Sequence, residues 1–301
     1  MNRTRTYLTA YAMLFPALLL MGIFTLYPVL YSVYLSFSKY TALELGAGRP
    51  PVWNGLENFR VVFSDPLYQT GILNSLKYLL VVPLLQMASL SVAVLVNQKL
   101  AGIAFFRAGY YIPVITSISL AAVMWEWVYA KDGLINATLV SVGLLQHSSA
   151  FSWLINENTA LWAIMLVTFW QGFGYYMVLY LAGLQSISSE LEEAARLDGA
   201  SRAQIFWRIT VPLMRPTLLV CSLLSTLAAL RVLQEIMVFT GGGPVNSTYT
   251  ALFYVYSKAF QSFDYGQASA AGMGVALVGS SCKKTKYWCT KMRNEPCKKN
   301  W

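Results

Sequence analysis

Long runs without a charged residue are the feature that most constrains this chain. No charged residue lies between Arg5 and Lys39, and about 18 uncharged residues are enough for a helix to cross the roughly 30 Å core of a bilayer. The other runs are 78–98, 108–125, 158–189, 213–240 (interrupted by two charges) and the short, small-residue-rich 266–282. The sequence therefore predicts an all-α integral membrane protein with six transmembrane helices, of which the sixth is short or damaged.

Composition supports a membrane protein. Only 12% of the residues are charged, whereas soluble domains carry about 25%. The first uncharged run exceeds the core of a secretory signal peptide, which has about 7–15 residues, and no A-x-A cleavage site follows it. This pattern favours a retained helix.

The Lys and Arg residues are concentrated on one side of the predicted spans. With both termini placed inside, fifteen of them fall in inside segments and six in outside segments. Because basic residues collect on the cytoplasmic side, both termini are predicted to face the cytoplasm. The net charge of +9 comes largely from the tail 283–301, so it reflects topology and does not indicate a nucleic-acid partner.

The connection between the fourth and fifth predicted helices, residues 188–216, has a helix–glycine–helix pattern. The serines that open it can cap a first helix, Asp198-Gly199 breaks that helix, and a second helix is predicted over 200–209. Small residues at the bend and an apolar face suit insertion into a groove of another protein. They suit an amphipathic helix on the membrane surface equally well.

The residue types and spacing of this loop resemble the EAA loop in the permease subunits of ATP-binding-cassette (ABC) importers. In that family the loop is the coupling helix, which docks in a cleft of the cytoplasmic ATPase. The positions that the resemblance assigns to ATPase coupling are Glu193, Ala194, Ala195, Asp198, Gly199, Ala200, Phe206, Ile209 and Pro212.

Three shorter motifs resemble the carbohydrate-uptake branch of that family, which is similar to maltose, lactose and glycerol-3-phosphate permeases. They are W-x-G-L-x-N-F at 53–59, D-G-x-x-N at 132–136 and T-x-G-G-P at 240–244. Each alone is an ordinary turn or interface sequence. Their order and spacing around the EAA-like loop carry the resemblance, which implies import of a sugar, an oligosaccharide or a glycerol-phosphate-like solute.

The resemblance also implies partners and a location. Such importers combine two permeases (here a heterodimer), two copies of a cytoplasmic ABC ATPase and an external solute-binding protein at the bacterial inner (plasma) membrane. The sequence has no G-x-x-x-x-G-K-[ST] phosphate-binding loop, so ATP is expected to be bound by the ATPase. This chain is then expected not to be an enzyme and to hold neither a cofactor nor a metal.

Polar residues within the predicted spans are candidates for the substrate path. Arg231 and Glu235 are four residues apart and predicted to share one helix face, either as a mutually neutralising pair or as lining of the outer end of the path. By resemblance, the fourth and fifth helices contribute to the sugar-binding cavity. The candidates on these helices are Thr168, Trp170, Gln171 and Ser225. Such residues also serve as interhelical contacts.

The predicted domain organisation is a single permease domain over 1–282 with a basic, cysteine-containing tail at 283–301. Family members continue here with a longer apolar helix. A frameshift near codon 279 would explain the difference, and a genuine tail that binds anionic lipid is the alternative.

Two other functions are alternatives to an importer. A gradient-driven transporter would need midplane ionisable residues and an internal repeat, and a membrane enzyme would need a carboxylate or metal cluster. The sequence offers only Arg231 and Glu235 for the first, and the acidic cluster of the coupling motif for the second.

Overall fold

The computed structural model describes residues 3–97, 102–144 and 151–277, which are mainly helical. Two compact units divide the chain: one is drawn from the residues up to Gln69 and from Tyr254 onward, and the other is Thr70–Phe253. The helices are α1 (Arg3–Met21), α2 (Tyr27–Ser36), α3 (Ala42–Gly46), α4 (Glu57–Ser64), α5 (Pro66–Tyr78), α6 (Val81–Val96), α7 (Ile103–Ile115), α8 (Ile118–Tyr129), α9 (Leu134–Ser141), α10 (Ala160–Gln185), α11 (Ser189–Leu197), α12 (Arg202–Ile205), α13 (Val211–Leu213), α14 (Arg215–Leu230), α15 (Gln234–Phe239) and α16 (Ala251–Phe260).

A few further elements complete the described chain. A π-helical segment, Gly22–Leu26, joins α1 to α2, and residues 265–277 are helical as well. Two short antiparallel strands, β1 (Ser38–Lys39) and β2 (Val52–Trp53), form the one sheet among the described residues.

Within the described residues, four helical segments are long and apolar enough to cross a membrane, and a fifth span results if one bent pair is counted. They are Tyr11–Ser36, Pro66–Val96, Ala160–Gln185 and Arg215–Phe239, with the bent pair Ile103–Ile115 and Ile118–Ser141. The predicted class, an all-α membrane protein, is confirmed. Helix α10 forms the core of its unit, because 44% of its most apolar window is buried within the protein.

The second span begins earlier than the uncharged run 78–98 predicts, because α5 already starts at Pro66 and includes Lys77. The charge is accommodated by a hydrogen bond from Lys77 Nζ to Asn74 Oδ1 (3.3 Å). Pro83 accounts for the turn between α5 and α6, since proline lacks an N–H and its ring clashes with the carbonyl four residues earlier.

The third uncharged run does not form one straight helix, so that expectation is wrong. The helical segments on either side of Thr116 and Ser117 are bent by 100°. Both residues are extended, with ψ of 128° and 144°, and the Ser117 hydroxyl caps α8 by accepting a hydrogen bond from Leu120 N (3.3 Å). The serine thus starts a new helix where hydropathy predicts a continuous one.

The fifth run is broken at residues 231–233. Helix α14 stops before this break and α15 starts after it, so Arg231 and Glu235 do not share a helix face. No ion pair joins them in the described part of the chain. The predicted neutralising pair is therefore wrong. At the break, the Val232 carbonyl accepts a hydrogen bond from Thr250 Oγ1 (3.2 Å).

In the first unit, the asparagine of the W-x-G-L-x-N-F motif secures the end of the first span. Asn58 Nδ2 donates to the carbonyls of Ser36 (3.0 Å), the last residue of α2, and of Ser38 (2.9 Å) just beyond it. The Trp53 ring of the same motif stacks on Phe37 (centroids 5.5 Å apart). The motif therefore has a structural role in closing a helix end.

In the second unit, an asparagine holds the segment that follows the T-x-G-G-P motif. Asn74 Nδ2 donates to the carbonyls of Ser247 (2.8 Å) and Tyr249 (2.9 Å). The Thr248 hydroxyl donates to the Gly243 carbonyl (2.7 Å) within the motif. These bonds give the backbone carbonyls of this segment side-chain donors.

The D-G-x-x-N motif is secured in the same way by Asn136, which is almost completely buried. Its Nδ2 donates to the carbonyls of Ala130 (3.2 Å), Lys131 (3.0 Å) and Phe151 (2.8 Å), and its Oδ1 accepts from Trp153 Nε1 (3.0 Å). One side chain thus joins the end of α8 to the segment that leads into α10.

The substitution Asn136→Ala should lower the free energy of unfolding by about 2 kcal/mol, because buried carbonyls lose their donor. Thermal unfolding of the full chain in detergent measures the effect. Asn158→Ala is the matched control, since the Asn158 side chain is exposed. An equal melting temperature for both variants would contradict the assigned role.

Candidate functional site

The EAA-like loop begins with a capped helix and ends that helix at a glycine. The Ser188 hydroxyl accepts a hydrogen bond from Glu190 N (3.3 Å), and Glu192 pairs with Arg196 one turn later (3.6 Å). Gly199 has φ of +79°, in the left-handed region that favours glycine. The predicted helix break at this position is confirmed.

The second helix of the loop begins at Arg202, two residues later than the start of the predicted segment 200–209. The reason is a capping box: Gln204 N donates to Ser201 Oγ (3.3 Å), and Ser201 N donates to Gln204 Oε1 (2.7 Å). The helix then continues through the π-helical segment Phe206–Thr210 into α13.

The residues assigned to ATPase coupling are open to their surroundings. Those that are exposed are Glu193, Ala194, Asp198 and Gly199, and those that are half-buried are Ala195, Ala200, Phe206, Ile209 and Pro212. A groove of about 290 Å³ lies along the bend, lined by Gly199 and Ala200 on the turn and by Ile205 and Ile209 on the second helix. A Cβ on Gly199 would meet no atom within 4 Å, so the backbone angle and not packing requires the glycine.

A cavity of about 370 Å³ lies in the Thr70–Phe253 unit, and its wall is largely apolar with a few polar groups. Four of the six predicted path residues line it: Thr168, Gln171, Ser225 and Glu235. Aromatic surface is added by Tyr78, Tyr175 and Tyr176. The cavity therefore offers hydroxyl, amide and carboxylate groups beside tyrosine rings.

Two of the predicted path residues lie elsewhere. The Trp170 ring meets the Trp125 ring edge-on (centroids 5.6 Å apart), and Arg231 is exposed at the C-terminal end of α14. Neither belongs to the described lining of the cavity.

Some polar groups of the cavity also bond to the protein itself. The Thr168 hydroxyl hydrogen-bonds the Tyr78 hydroxyl, and Gln171 Nε2 donates to the Thr116 carbonyl (2.8 Å) at the bend after α7. These bonds fix the side chains that face the cavity and join α10 to its neighbours.

Gln86 is a residue that the sequence reasoning missed. Its Nε2 donates to Ser225 Oγ (2.7 Å) and to the Cys221 carbonyl (3.2 Å), and its Oε1 accepts from the Tyr180 hydroxyl. Gln86 thereby joins three helices, α6, α10 and α14, beside the cavity. An amide in the middle of the uncharged run 78–98 was the signal that could have identified it.

These features define the class of protein: a multi-pass α-helical membrane protein with an exposed helix–glycine–helix loop and, among its spans, a cavity that contains a few polar groups. A family model described as "Binding-protein-dependent transport system inner membrane component" matches residues 78–281. The chain belongs to this family, as the EAA-like loop predicted.

Relatives of known name agree with this family. The chain is 34% identical to YesP of Bacillus subtilis, named a probable ABC transporter permease protein (93% of this chain, 91% of the relative). It is 32% identical to the lactose transport system permease protein LacF of Rhizobium radiobacter (83% and 84%). It is also 32% identical to the sulfoquinovosyl glycerol transport system permease protein SmoG of Agrobacterium fabrum (93% and 89%).

The fold is similar to that of a solved transporter chain. A chain in the crystal structure of a bacterial alginate ABC transporter, in complex with an alginate pentasaccharide-bound periplasmic protein, matches with a TM-score of 0.76. The identity is 24%, and the match covers 92% of both chains. The arrangement of the helices is therefore a known one for a transporter subunit.

The substitution Tyr180→Phe should lower the free energy of unfolding by about 1–3 kcal/mol, because it removes the hydroxyl that donates to half-buried Gln86 Oε1. Tyr175→Phe is the control, since the Tyr175 side chain is 42% exposed in the cavity wall. Thermal unfolding in detergent compares the two. A larger loss for Tyr175→Phe would contradict the role given to the Gln86 network.

Proposed function

We propose that this chain is the permease subunit of an ATP-driven ABC importer that passes a sugar or oligosaccharide from an external binding protein to the cytoplasm. The exposed EAA-like loop is the single observation that carries the proposal. Family membership and the names of the lactose and sulfoquinovosyl glycerol permeases support it. A glycerol-phosphate-like solute is the alternative substrate within the class that the sequence predicts.

The loop is proposed to dock into a cleft of a cytoplasmic ATPase. Exposed Glu193, Ala194, Asp198 and Gly199 would meet the ATPase, while buried Ile205 holds the second helix against its own unit. ATP would be bound and hydrolysed by that partner, so that this chain needs no cofactor and performs no hydrolysis. The small residues at the bend favour close approach of two backbones.

The full assembly is proposed to contain a second, different permease, two ATPase copies and a solute-binding protein. The binding protein in the alginate transporter structure supports the last of these. Six spans with both termini in the cytoplasm would place the loop on the ATPase side. The sixth span would include the helical residues 265–277. The last residues of the predicted 1–282 domain and the predicted tail 283–301 lie outside the described residues.

The substrate path is proposed to pass the cavity lined by Thr168, Gln171, Ser225 and Glu235. Hydroxyl and amide groups can exchange hydrogen bonds with sugar hydroxyls, and tyrosine rings can stack on the apolar face of a sugar ring. Trp170 and Arg231 are secondary candidates, which would need to act from outside this cavity.

The coupling proposal predicts that Gly199→Pro and Ala195→Trp abolish uptake while the chain still inserts into the membrane. Proline cannot adopt a φ of +79° and would remove the N–H that donates to the Arg196 carbonyl (3.1 Å). Co-purification with the ATPase should fall at least about tenfold, which corresponds to about 1.4 kcal/mol.

Ala47→Trp is the control for that experiment, because Ala47 is exposed but belongs to the first unit. A monodisperse size-exclusion profile in detergent shows that each variant is folded. Normal uptake and normal ATPase retention in both loop variants would remove the docking proposal.

The topology proposal predicts opposite sides for the two ends of the fifth span. A reporter fused after Arg202 should be cytoplasmic and one fused after Gly242 external, because the span Arg215–Phe239 separates them. Alkaline phosphatase and fluorescent-protein fusions measure the two sides. The reverse pattern would put the EAA-like loop beyond the reach of any ATPase.

A further inference from the structure

The cavity in the Thr70–Phe253 unit has one acidic side chain and no basic side chain in its described lining. Glu235 is the one Asp or Glu in the described lining, to which no Lys, Arg or His belongs. The other polar groups, such as Gln171, Ser225 and Tyr175, are uncharged amides and hydroxyls. A substrate in the cavity therefore meets a single carboxylate and no cation from this chain.

No countercharge on this chain neutralises Glu235 across the part that the structure describes. Arg231 is four residues away in sequence, but the break at 231–233 separates it from α15, and its side chain is exposed. The three described ion pairs involve other residues. A half-buried carboxylate within a span costs free energy, since charge is disfavoured in the bilayer core. Such a residue therefore usually has a functional role.

The chemistry of this lining favours one kind of saccharide. A carboxylate accepts hydrogen bonds from hydroxyl groups, and charge-assisted hydrogen bonds are stronger than neutral ones. The same carboxylate repels a uronate or a sulfonate, and the repulsion is strong where water is scarce. Charge is a relevant distinction among such transporters, because some proteins similar to this chain are named for acidic cargo, namely sulfoquinovosyl glycerol and the acidic polysaccharide alginate.

We propose that this pore half selects an uncharged saccharide against acidic ones and that Glu235 is the specificity-determining residue. The inference rests on the proposed function and names the substrate class of the same cavity. Glu235 contributes in two ways: it binds hydroxyl groups of a neutral sugar and excludes sugars that carry a carboxylate or a sulfonate.

The first test measures the charge of the cavity without any substrate. A single cysteine is placed at Ala228, which lines the cavity and is exposed, in a full chain whose four native cysteines are replaced by serine. In lipid nanodiscs, a cationic methanethiosulfonate (trimethylammonioethyl) should label Ala228→Cys at least about fivefold faster than an anionic one (sulfonatoethyl), relative to their rates with free thiol.

Glu235→Gln should remove this preference for the cationic reagent. Glu157→Gln, a change of the same chemistry at an exposed position outside the described cavity lining, should leave it intact. Ala203→Cys on the exposed side of α12 is the control position, where Glu235→Gln should change neither rate. Equal rates of the two reagents at Ala228→Cys in the parent chain would overturn the inference.

The second test measures saccharide selection by protection from labelling. Maltotriose, a neutral sugar, should slow the labelling of Ala228→Cys at least about threefold at a concentration where the acidic trigalacturonate has no effect. In the Glu235→Gln background, trigalacturonate should also slow the labelling of this cysteine. Equal protection by both sugars in the parent chain would overturn the charge selection while leaving the proposed function in place. Protection by neither sugar would overturn the proposed sugar path and this inference with it.

Discussion

A backbone carbonyl without an intrahelical partner has no water to bond to inside a bilayer, and this constraint governs how the helices of this chain can end. The chain meets it with side-chain donors at several of the described helix ends and breaks. Asn58 serves the end of the first span, Asn136 the segment after α8, and Asn74 the segment before α16. Gln171 bonds the carbonyl at the bend after α7, and Thr250 bonds the carbonyl at the break before α15. Two of the three short motifs thus contain an asparagine, Asn58 or Asn136, whose side chain bonds the carbonyls at a helix end.

The spans were predictable from sequence because charge is excluded from the bilayer core over a long stretch, but the breaks within them were not. Thr116 and Ser117 are uncharged, so hydropathy passes over the bend that their extended backbone creates. Arg231 falls at a helix end, where its charge is exposed, although its spacing from Glu235 suggested one continuous helix. In both places the backbone conformation is stabilised by a helix cap or by a side chain distant in sequence. A hydropathy window over neighbouring residues does not include such contacts.

The two candidate sites differ in how local their determinants are. The helix–glycine–helix loop is encoded by its own residues, so its break at Gly199 could be predicted, although the capping box of Ser201 moved the second helix by two positions. The cavity depends on residues far apart in sequence, such as Gln86 and Ser225. It also depends on helix rotation: adjacent residues differ by about 100° around the axis, which separates Gln171 in the cavity from Trp170 outside it.

Residues 202–230 are helical with only local changes of pitch, since Met214 N bonds the Thr210 carbonyl (2.9 Å) and the Met214 carbonyl accepts from the Leu218 N (2.9 Å). Helix α14 alone extends about 24 Å at 1.5 Å per residue. The loop lies at one end of this segment, and Ser225 lies near the other end. Glu235 lies beyond the break on a separate short helix that is tethered through Thr250. A displacement of the loop would therefore reach the cavity at Ser225 through a continuous stretch of helical backbone.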